Sequence, residues 1–130
     1  MEGTRGRGWI NRCVYLPTGH KGATGELVAA AWLLNRGVEV FRNVSACGPA
    51  DLMAWRVCDG ASFPIDVKFL SNANMRQSDG GMVPNFPKNA RPGVHYLFVG
   101  PAGVLGFYRP CKGLGTKSEA YDPFATDDPL

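Results

Sequence analysis

A single segment with helical periodicity precedes five short strand-like segments, and this order limits the chain to an α/β fold. The helix is predicted from about Gly25 to Arg36, with Thr24 as its N-cap and Gly37 directly after its end. The strand-like segments, which combine alternating and clustered apolar residues, are 38–41, 51–57, 63–69, 94–99 and 103–108. We therefore expect a mixed sheet of about five strands that packs against one main N-terminal helix.

The chain length suits one domain that covers residues 1–130. Of the 130 residues, 45% are hydrophobic, which is enough for a single modest core. Three segments lack sustained periodicity: a basic N-terminal arm at 1–21, a long polar loop at 71–93 and an irregular C-terminal tail at 109–130. A polar loop of this length inside a small domain is typical of a binding loop or of disorder.

The cysteines and the terminal composition bear on the compartment. The four cysteines (Cys13, Cys47, Cys58 and Cys111) form no CxxC pair, so neither a zinc finger nor a redox motif is expected. The N-terminal segment is rich in Gly and Arg and lacks the apolar core of a signal peptide. No apolar segment approaches the roughly 18 residues of a membrane helix. We expect a soluble, cytoplasmic protein with reduced thiols and no membrane partner.

The third strand-like segment carries residues that point to chemistry. Because side chains alternate between the two faces of a strand, Ile65, Val67 and Phe69 are expected on one apolar face. Asp66 and Lys68 then stand side by side on the other face. A plain alternative is a solvated ion pair, which contributes little to stability.

A second carboxylate, Asp51, begins the preceding strand-like segment. If the two strands pair antiparallel through the intervening turn, Asp51 approaches Asp66 and Lys68. Two neighbouring carboxylates repel each other, and a divalent cation relieves that repulsion. Mg²⁺ is held by few carboxylates and keeps several waters, so two aspartates and the main-chain carbonyl of Val67 would suffice. Alternatively, Asp51 is a turn residue that binds its own backbone.

Glu26 lies in the first turn of the predicted helix, at the flank of the apolar stripe. From that boundary its carboxylate can extend over the edge of the sheet toward the metal. It can equally interact with the N-terminus of its own helix, where negative charge is favourable.

Together, Gly25-Glu26 at a helix start, Pro49-Ala50-Asp51 and Ile65-Asp66-Val67-Lys68 resemble the PD-(D/E)xK nuclease superfamily over about residues 22–108. The resemblance implies a restriction-endonuclease-like fold and hydrolysis of DNA phosphodiester bonds that depends on Mg²⁺, with Mn²⁺ as a substitute. It implies that Asp51 and Asp66 are metal ligands, Lys68 the catalytic lysine and Glu26 an accessory acid. This chain departs from the family pattern by inserting Ala50 before the aspartate, and by a loop where helices usually follow the lysine strand.

Several basic and amide side chains are candidates for contact with nucleic acid, since such groups bind phosphate oxygens and base edges. The net charge of +3 is mild, so a solvated arm and a loop without a partner stay open as alternatives. The candidates are Arg5, Arg7, Arg12 and Lys21 in the arm, and Asn72, Asn74, Arg76, Gln77, Lys88 and Arg91 in the loop.

The leading hypothesis is an endonuclease that acts on DNA, with branched or structured DNA as the expected substrate and RNA as an alternative. A non-catalytic nucleic-acid-binding protein with the same fold is the second hypothesis, and an interaction protein is the third. A homodimer is also expected, because the closing strands carry more large apolar residues than one helix can cover. These residues are Tyr96, Phe98, Leu105 and Phe107, so the interface is placed at 94–108, with the 71–93 loops beside a shared substrate channel.

Overall fold

The computed structural model describes residues 18–45, 48–70, 75–78, 81–111 and 117–125. It contains one helix, α1 (Thr18–Asn35), and eight strands within these ranges. The strands are β1 (Glu39–Arg42), β2 (Leu52–Arg56), β3 (Ala61–Phe69), β4 (Met75–Ser78), β5 (Gly81–Pro84), β6 (His95–Gly100), β7 (Gly103–Pro110) and β8 (Ser118–Ala120).

Six of the strands form one mixed sheet in the order β1-β2-β3-β6-β7-β8. The central neighbours β3 and β6 run parallel, and the other neighbouring strands run antiparallel. Strands β4 and β5 form a separate two-stranded sheet. In the described residues the expected α/β architecture, a mixed sheet beside a main helix, is confirmed, although the main sheet has six strands where about five were expected.

Three expected segments differ from the structure. Helix α1 begins at Thr18, before the expected start at about Gly25. The glycines in its first turns interrupt the helical pattern of the sequence but do not prevent the helix. The segment 71–93, expected as a loop, contains the hairpin of β4 and β5. The segment 109–130, expected to be irregular, supplies the end of β7 and the sixth strand, β8. Three residues of β8 are too few to show a period in the sequence.

Different parts of the chain pack on the two faces of the main sheet. Helix α1 packs on one face, where Leu33, Leu52 and Ile65 are fully buried and Val67 and Phe69 pack beside them. This arrangement confirms the alternation expected for β3. The other face of β6 carries a smaller cluster, whose members are Phe86, Tyr96 and Phe98 with Leu70, Ala90, Val94 and Tyr108 at its edge.

The dimer interface at residues 94–108 was expected on the premise that one helix cannot cover the large apolar residues there. That premise is wrong. Tyr96 and Phe98 are buried under the chain's own Phe86, and Phe107 is buried against Trp32. Around β6 both faces of the sheet are covered by the chain itself, so these aromatic residues lie in its core and only Leu105 of the four is exposed. Within the ranges that the structure describes, no helix is both long and apolar enough to cross a membrane.

Helix α1 approaches the sheet closely at Gly25, which is buried. A Cβ atom at this position would lie 3.1 Å from Cδ2 of Phe69 in β3. The missing side chain therefore allows the helix to lie against β3, and the next residue, Glu26, is brought to the edge of the sheet. Gly22 is a useful comparison, since a Cβ atom there would meet nothing within 4 Å.

Alanine substitutions at these two glycines should separate helix propensity from packing. Gly22→Ala is expected to raise the free energy of unfolding by about 0.5–1 kcal/mol, because alanine loses less backbone entropy in a helix. Gly25→Ala has the same intrinsic gain, but the ring of Phe69 must shift by a few tenths of an ångström to accept the methyl group. We expect a smaller gain at Gly25, measured by urea denaturation, and equal gains would contradict the close packing.

Candidate active site

The pairing of β2 with β3 places Asp51 directly opposite Asp66. In this antiparallel register Leu52 is the partner of Ile65, so the residue before Leu52 faces the residue after Ile65. Two hydrogen bonds extend the pairing to Asp51, which directly precedes the first residue of β2. The amide of Asp51 donates to the carbonyl of Ile65 at 2.8 Å, and Oδ2 of Asp51 accepts from the amide of Val67 at 2.8 Å. The side chain of Asp51 is thereby held against β3.

Asp66 and Lys68 lie together on the face of β3 that does not contact α1. The Nζ atom of Lys68 is 3.5 Å from Oδ2 of Asp66 and 5.9 Å from the ring centroid of Tyr96. The side chain of Asp66 is 22% exposed and that of Lys68 is 40% exposed. Both groups can therefore be reached from solvent while their positions are fixed by the strand.

The two aspartates interact directly. Burial, and after it a hydrogen bond with Asp51, raise the pKa of Asp66, and Lys68 opposes both effects, so that the net pKa is about 6. In the absence of a cation, Asp66 therefore holds a proton below about pH 6, well above the range in which an ordinary aspartate is protonated. A divalent cation between the two oxygens would replace that proton and remove the same repulsion.

The donor set fits a hard cation with few protein ligands. In the part of the chain that the structure describes, no three or more His, Cys, Asp and Glu side chains are grouped to hold a metal ion. Glu26 is thus not a third carboxylate beside Asp51 and Asp66. Two carboxylates with water in the remaining positions suit Mg²⁺, which keeps much of its hydration. The use of the Val67 carbonyl as a further ligand stays a prediction.

Glu26 faces the same hollow as Asp51. This hollow, the polar hollow, has a volume of about 500 Å³ and is lined by Gly22, Ala23, Glu26, Arg42, Asn43, Val44, Ser45 and Asp51. Oε1 of Glu26 is 3.4 Å from Nη2 of Arg42 on β1. Both side chains are partly exposed, so this ion pair contributes little to stability.

Two residues that the sequence analysis did not single out position this site. The Asn43 amide group donates to the carbonyl of Ala50 at 2.8 Å, its Oδ1 accepts from the amide of Ser45, and its backbone amide donates to the carbonyl of Asp51. Asn43 thus fixes the loop that ends in Asp51. Arg42 supplies the positive charge beside Glu26. An asparagine in a loop of small residues is a common turn residue, so no local signal distinguishes its role.

The predicted nucleic-acid contacts are placed only in part. Lys21 is exposed on α1, and Lys88 and Arg91 are exposed on the segment that carries Phe86 and packs over Tyr96. That segment covers the same face of the sheet as Asp66 and Lys68, because Asp66 pairs with Tyr96 in register. Arg76 and Gln77 lie on β4, where only the backbone is described, and Arg5, Arg7, Arg12, Asn72 and Asn74 fall outside the described residues.

Comparison with known proteins shows a distant structural likeness. No family model matches the sequence, and no match is found among curated proteins. Among solved structures, the chain is similar to that of a bacterial homing endonuclease, I-Ssp6803I, with a TM-score of 0.46 and 17% sequence identity. The match covers 65% of this chain and 63% of that chain, so less than two thirds of the other protein is spanned. A likeness at this distance leaves the activity to be argued from the chain's own residues.

Proposed function

We propose that this protein is a metal-dependent endonuclease that hydrolyses DNA phosphodiester bonds at Asp51, Asp66 and Lys68. The observation that carries the proposal is the contact of two carboxylates on adjacent strands, with the ammonium group of Lys68 3.5 Å from one of them. Two adjacent carboxylates can hold a metal ion, and the exposed ammonium group of Lys68 beside them supplies a second positive charge. Together these groups form a site suited to a phosphate group.

Each residue has a distinct task in this proposal. Mg²⁺ or Mn²⁺, when bound, supplies a water of lowered pKa and charge stabilisation at a phosphoryl oxygen. Asp51 and Asp66 hold the ion, and the hydrogen bond from the Val67 amide keeps the Asp51 carboxylate in place. Lys68 offsets the negative charge that develops on the phosphate oxygens during hydrolysis and orients the attacking water. Glu26 acts as an accessory acid at the border of the polar hollow.

The charge around the site supports nucleic acid as the substrate. The net charge is +3, and exposed Lys88 and Arg91 share the sheet face with Asp66. Arg42 of β1 lines the polar hollow, and Lys21 is exposed on α1 directly before Gly22, which lines it too. Such basic groups bind a phosphate backbone and release its counterions, so affinity should fall as salt rises. DNA is the proposed class, with RNA as the alternative in the same assay.

The direct test is a cleavage assay with supercoiled plasmid, linear duplex and branched DNA in the presence of Mg²⁺ or Mn²⁺. We expect nicking or cutting of at least one substrate, and we expect EDTA to stop it. Cleavage that persists in EDTA, or no cleavage of DNA or RNA with either metal, would contradict the proposal.

A second candidate is a non-catalytic nucleic-acid-binding protein. It is favoured by the two ion pairs at the site, Asp66 with Lys68 and Glu26 with Arg42, which already give these four side chains a charged partner within the chain. This candidate predicts salt-sensitive DNA binding with the same affinity in Mg²⁺ and EDTA, and no cleavage product.

A further inference from the structure

An apolar hollow adjoins the polar hollow. It has a volume of about 380 Å³ and is lined by Phe41, Arg42, Asn43, Pro49, Ala50, Leu52, Met53 and Pro64. Arg42 and Asn43 line both hollows and form the border between them. The loop residues Pro49 and Ala50 line the apolar hollow, and the next residue, Asp51, lines the polar one.

Strand register places this apolar hollow beside the acidic pair. Phe41 of β1 pairs with Met53 of β2, and Met53 pairs with Pro64 of β3, so the three form a row across the sheet. Pro64 lies two residues before Asp66, and strand residues two apart share a face at a spacing of about 7 Å. The row therefore ends directly next to the carboxylate of Asp66.

The apolar side chains of this row are open to solvent. Phe41 is 53% exposed and Met53 is 36% exposed, while Trp55, the next residue of β2 on that face, is 39% exposed. On the opposite face of β2, Leu52 and Ala54 are fully buried under α1. Contiguous exposed apolar residues on a small domain mark a binding surface. Nothing in the described part of the chain covers this one.

The chemistry of the two hollows together matches a single nucleotide. The border residue Arg42 offers a cation for a phosphate, and Asp51, one of the two proposed metal ligands, lines the polar hollow on the other side. The apolar hollow offers an aromatic ring, a thioether and proline rings, which suit the flat face of a base. A protein segment would use the apolar surface but would leave the adjoining charged groups without a role.

We propose that the apolar hollow binds an unpaired nucleobase next to the phosphate that is cleaved. A base inside a duplex is stacked and paired, so it reaches such a hollow only from a bulge, a gap, a branch point or a single strand. The proposal rests on the proposed nuclease function and narrows its substrate class to DNA with unpaired nucleotides. Phe41 is the main stacking residue, and Met53 forms the floor beside it.

The test measures binding in EDTA, so that it does not depend on cleavage. Two labelled DNAs of one sequence are compared by fluorescence anisotropy: a complete duplex, and the same duplex with one bulged 2-aminopurine. We expect the wild type to bind the bulged DNA more tightly and to change the emission of 2-aminopurine. Phe41→Ala should weaken binding to the bulged DNA by about tenfold, since one base–aromatic stack is lost, and should leave duplex binding unchanged. Met53→Ala should act in the same direction.

Leu105→Ala is the matched control, because Leu105 is a similarly exposed apolar residue on β7, outside the lining of both hollows. It should change neither affinity. Equal affinities of the wild type for the two DNAs, or equal losses on both DNAs with Phe41→Ala, would overturn the base site. A dimer that Phe41→Ala converts to a monomer, with DNA binding unchanged, would overturn it too and would identify the face as an interface.

The two proposals fail separately. A protein that prefers the bulged DNA in EDTA but never cleaves DNA in Mg²⁺ or Mn²⁺ contradicts the nuclease assignment and supports the base site. A protein that cleaves DNA yet binds both DNAs equally contradicts the base site alone.

Discussion

Lys68→Ala is expected to lower the rate of DNA cleavage by about 10²–10³-fold, because it removes a positive charge aimed at the reacting phosphate. The side chain of Lys68 is 40% exposed and lies on the face away from α1, so the substitution should leave the fold and the melting temperature nearly unchanged. Single-turnover rates at saturating Mg²⁺ and DNA measure the effect on the chemical step without a contribution from binding.

Lys117→Ala is the control for this substitution. Lys117 is exposed directly before β8, and it is not among the residues that line either hollow. The control removes the same charge from the protein and should retain the wild-type rate. If both variants cleave DNA as fast as the wild type, Lys68 has no catalytic role.

Asp66→Asn is expected to abolish metal-dependent cleavage and, in metal-free solution near pH 8, to stabilise the fold. The first effect follows from the loss of a proposed metal ligand. Substitution of a residue that only hydrogen-bonds to a metal ligand already lowers metal affinity or activity by about 10–100-fold, so loss of the ligand itself should cost more. The second follows from the pKa of Asp66, which burial and the hydrogen bond with Asp51 raise to about 6. An asparagine side chain is neutral at every pH and can still donate a hydrogen bond to Asp51.

The pH dependence gives this prediction a sign. The pKa of Asp66 is 3.8 in the unfolded chain and about 6 in the folded chain, so between these values the folded state holds the extra proton. The free energy of unfolding of the metal-free protein should therefore fall as pH rises from 3.8 through about 6. Asp66→Asn should remove this part of the slope. Glu39→Gln, an exposed change on β1, should retain it.

Thermal melts in EDTA across this pH range measure how the stability of the metal-free wild type and its variants depends on pH. A wild-type slope that persists in Asp66→Asn would show that another group titrates there. A lower melting temperature of Asp66→Asn at pH 8 would show that the ionised carboxylate stabilises the metal-free fold, contrary to the raised pKa of Asp66.

The arrangement of Asp51, Asp66 and Lys68 could be predicted from the sequence because it depends on local rules. The alternation of β3 fixes which side chains share a face, and the short turn at Asp59–Gly60 fixes the register with β2. The turn is reinforced by Arg56, which forms two hydrogen bonds with the carboxylate of Asp59. Once the register is set, Asp51 has no position other than opposite Asp66.

Other features depend on contacts between distant segments, and the sequence does not display them. The aromatic residues of β6 were expected at an interface because their cover, Phe86, lies in a stretch that shows no period. Strand β8 joins the sheet with three residues, and its Ser118 hydroxyl donates to the carbonyl of Pro84 at 2.6 Å across 34 positions. The packing of a whole chain decides such contacts, whereas local pattern decides the site strands.

The positions of Arg42 and Asn43, which line both hollows, could not be predicted from sequence patterns either. Arg42 sits at the end of an edge strand, and Asn43 begins a loop of small residues, so each has the composition of an ordinary surface turn. Only the return of the loop to Asp51 gives them their positions beside both hollows.

The location of the metal tests the central proposal most directly. Crystals grown with Mn²⁺ allow the ion to be placed by its anomalous scattering, independently of any activity. We expect a peak between the side chains of Asp51 and Asp66, at about 2.0–2.3 Å from an oxygen of each, with water in the other positions. Asp66→Asn crystals should lack it. A Mn²⁺ ion bound elsewhere, with Asp51 and Asp66 still in contact through a shared proton, would contradict the assignment of these two aspartates as the metal site.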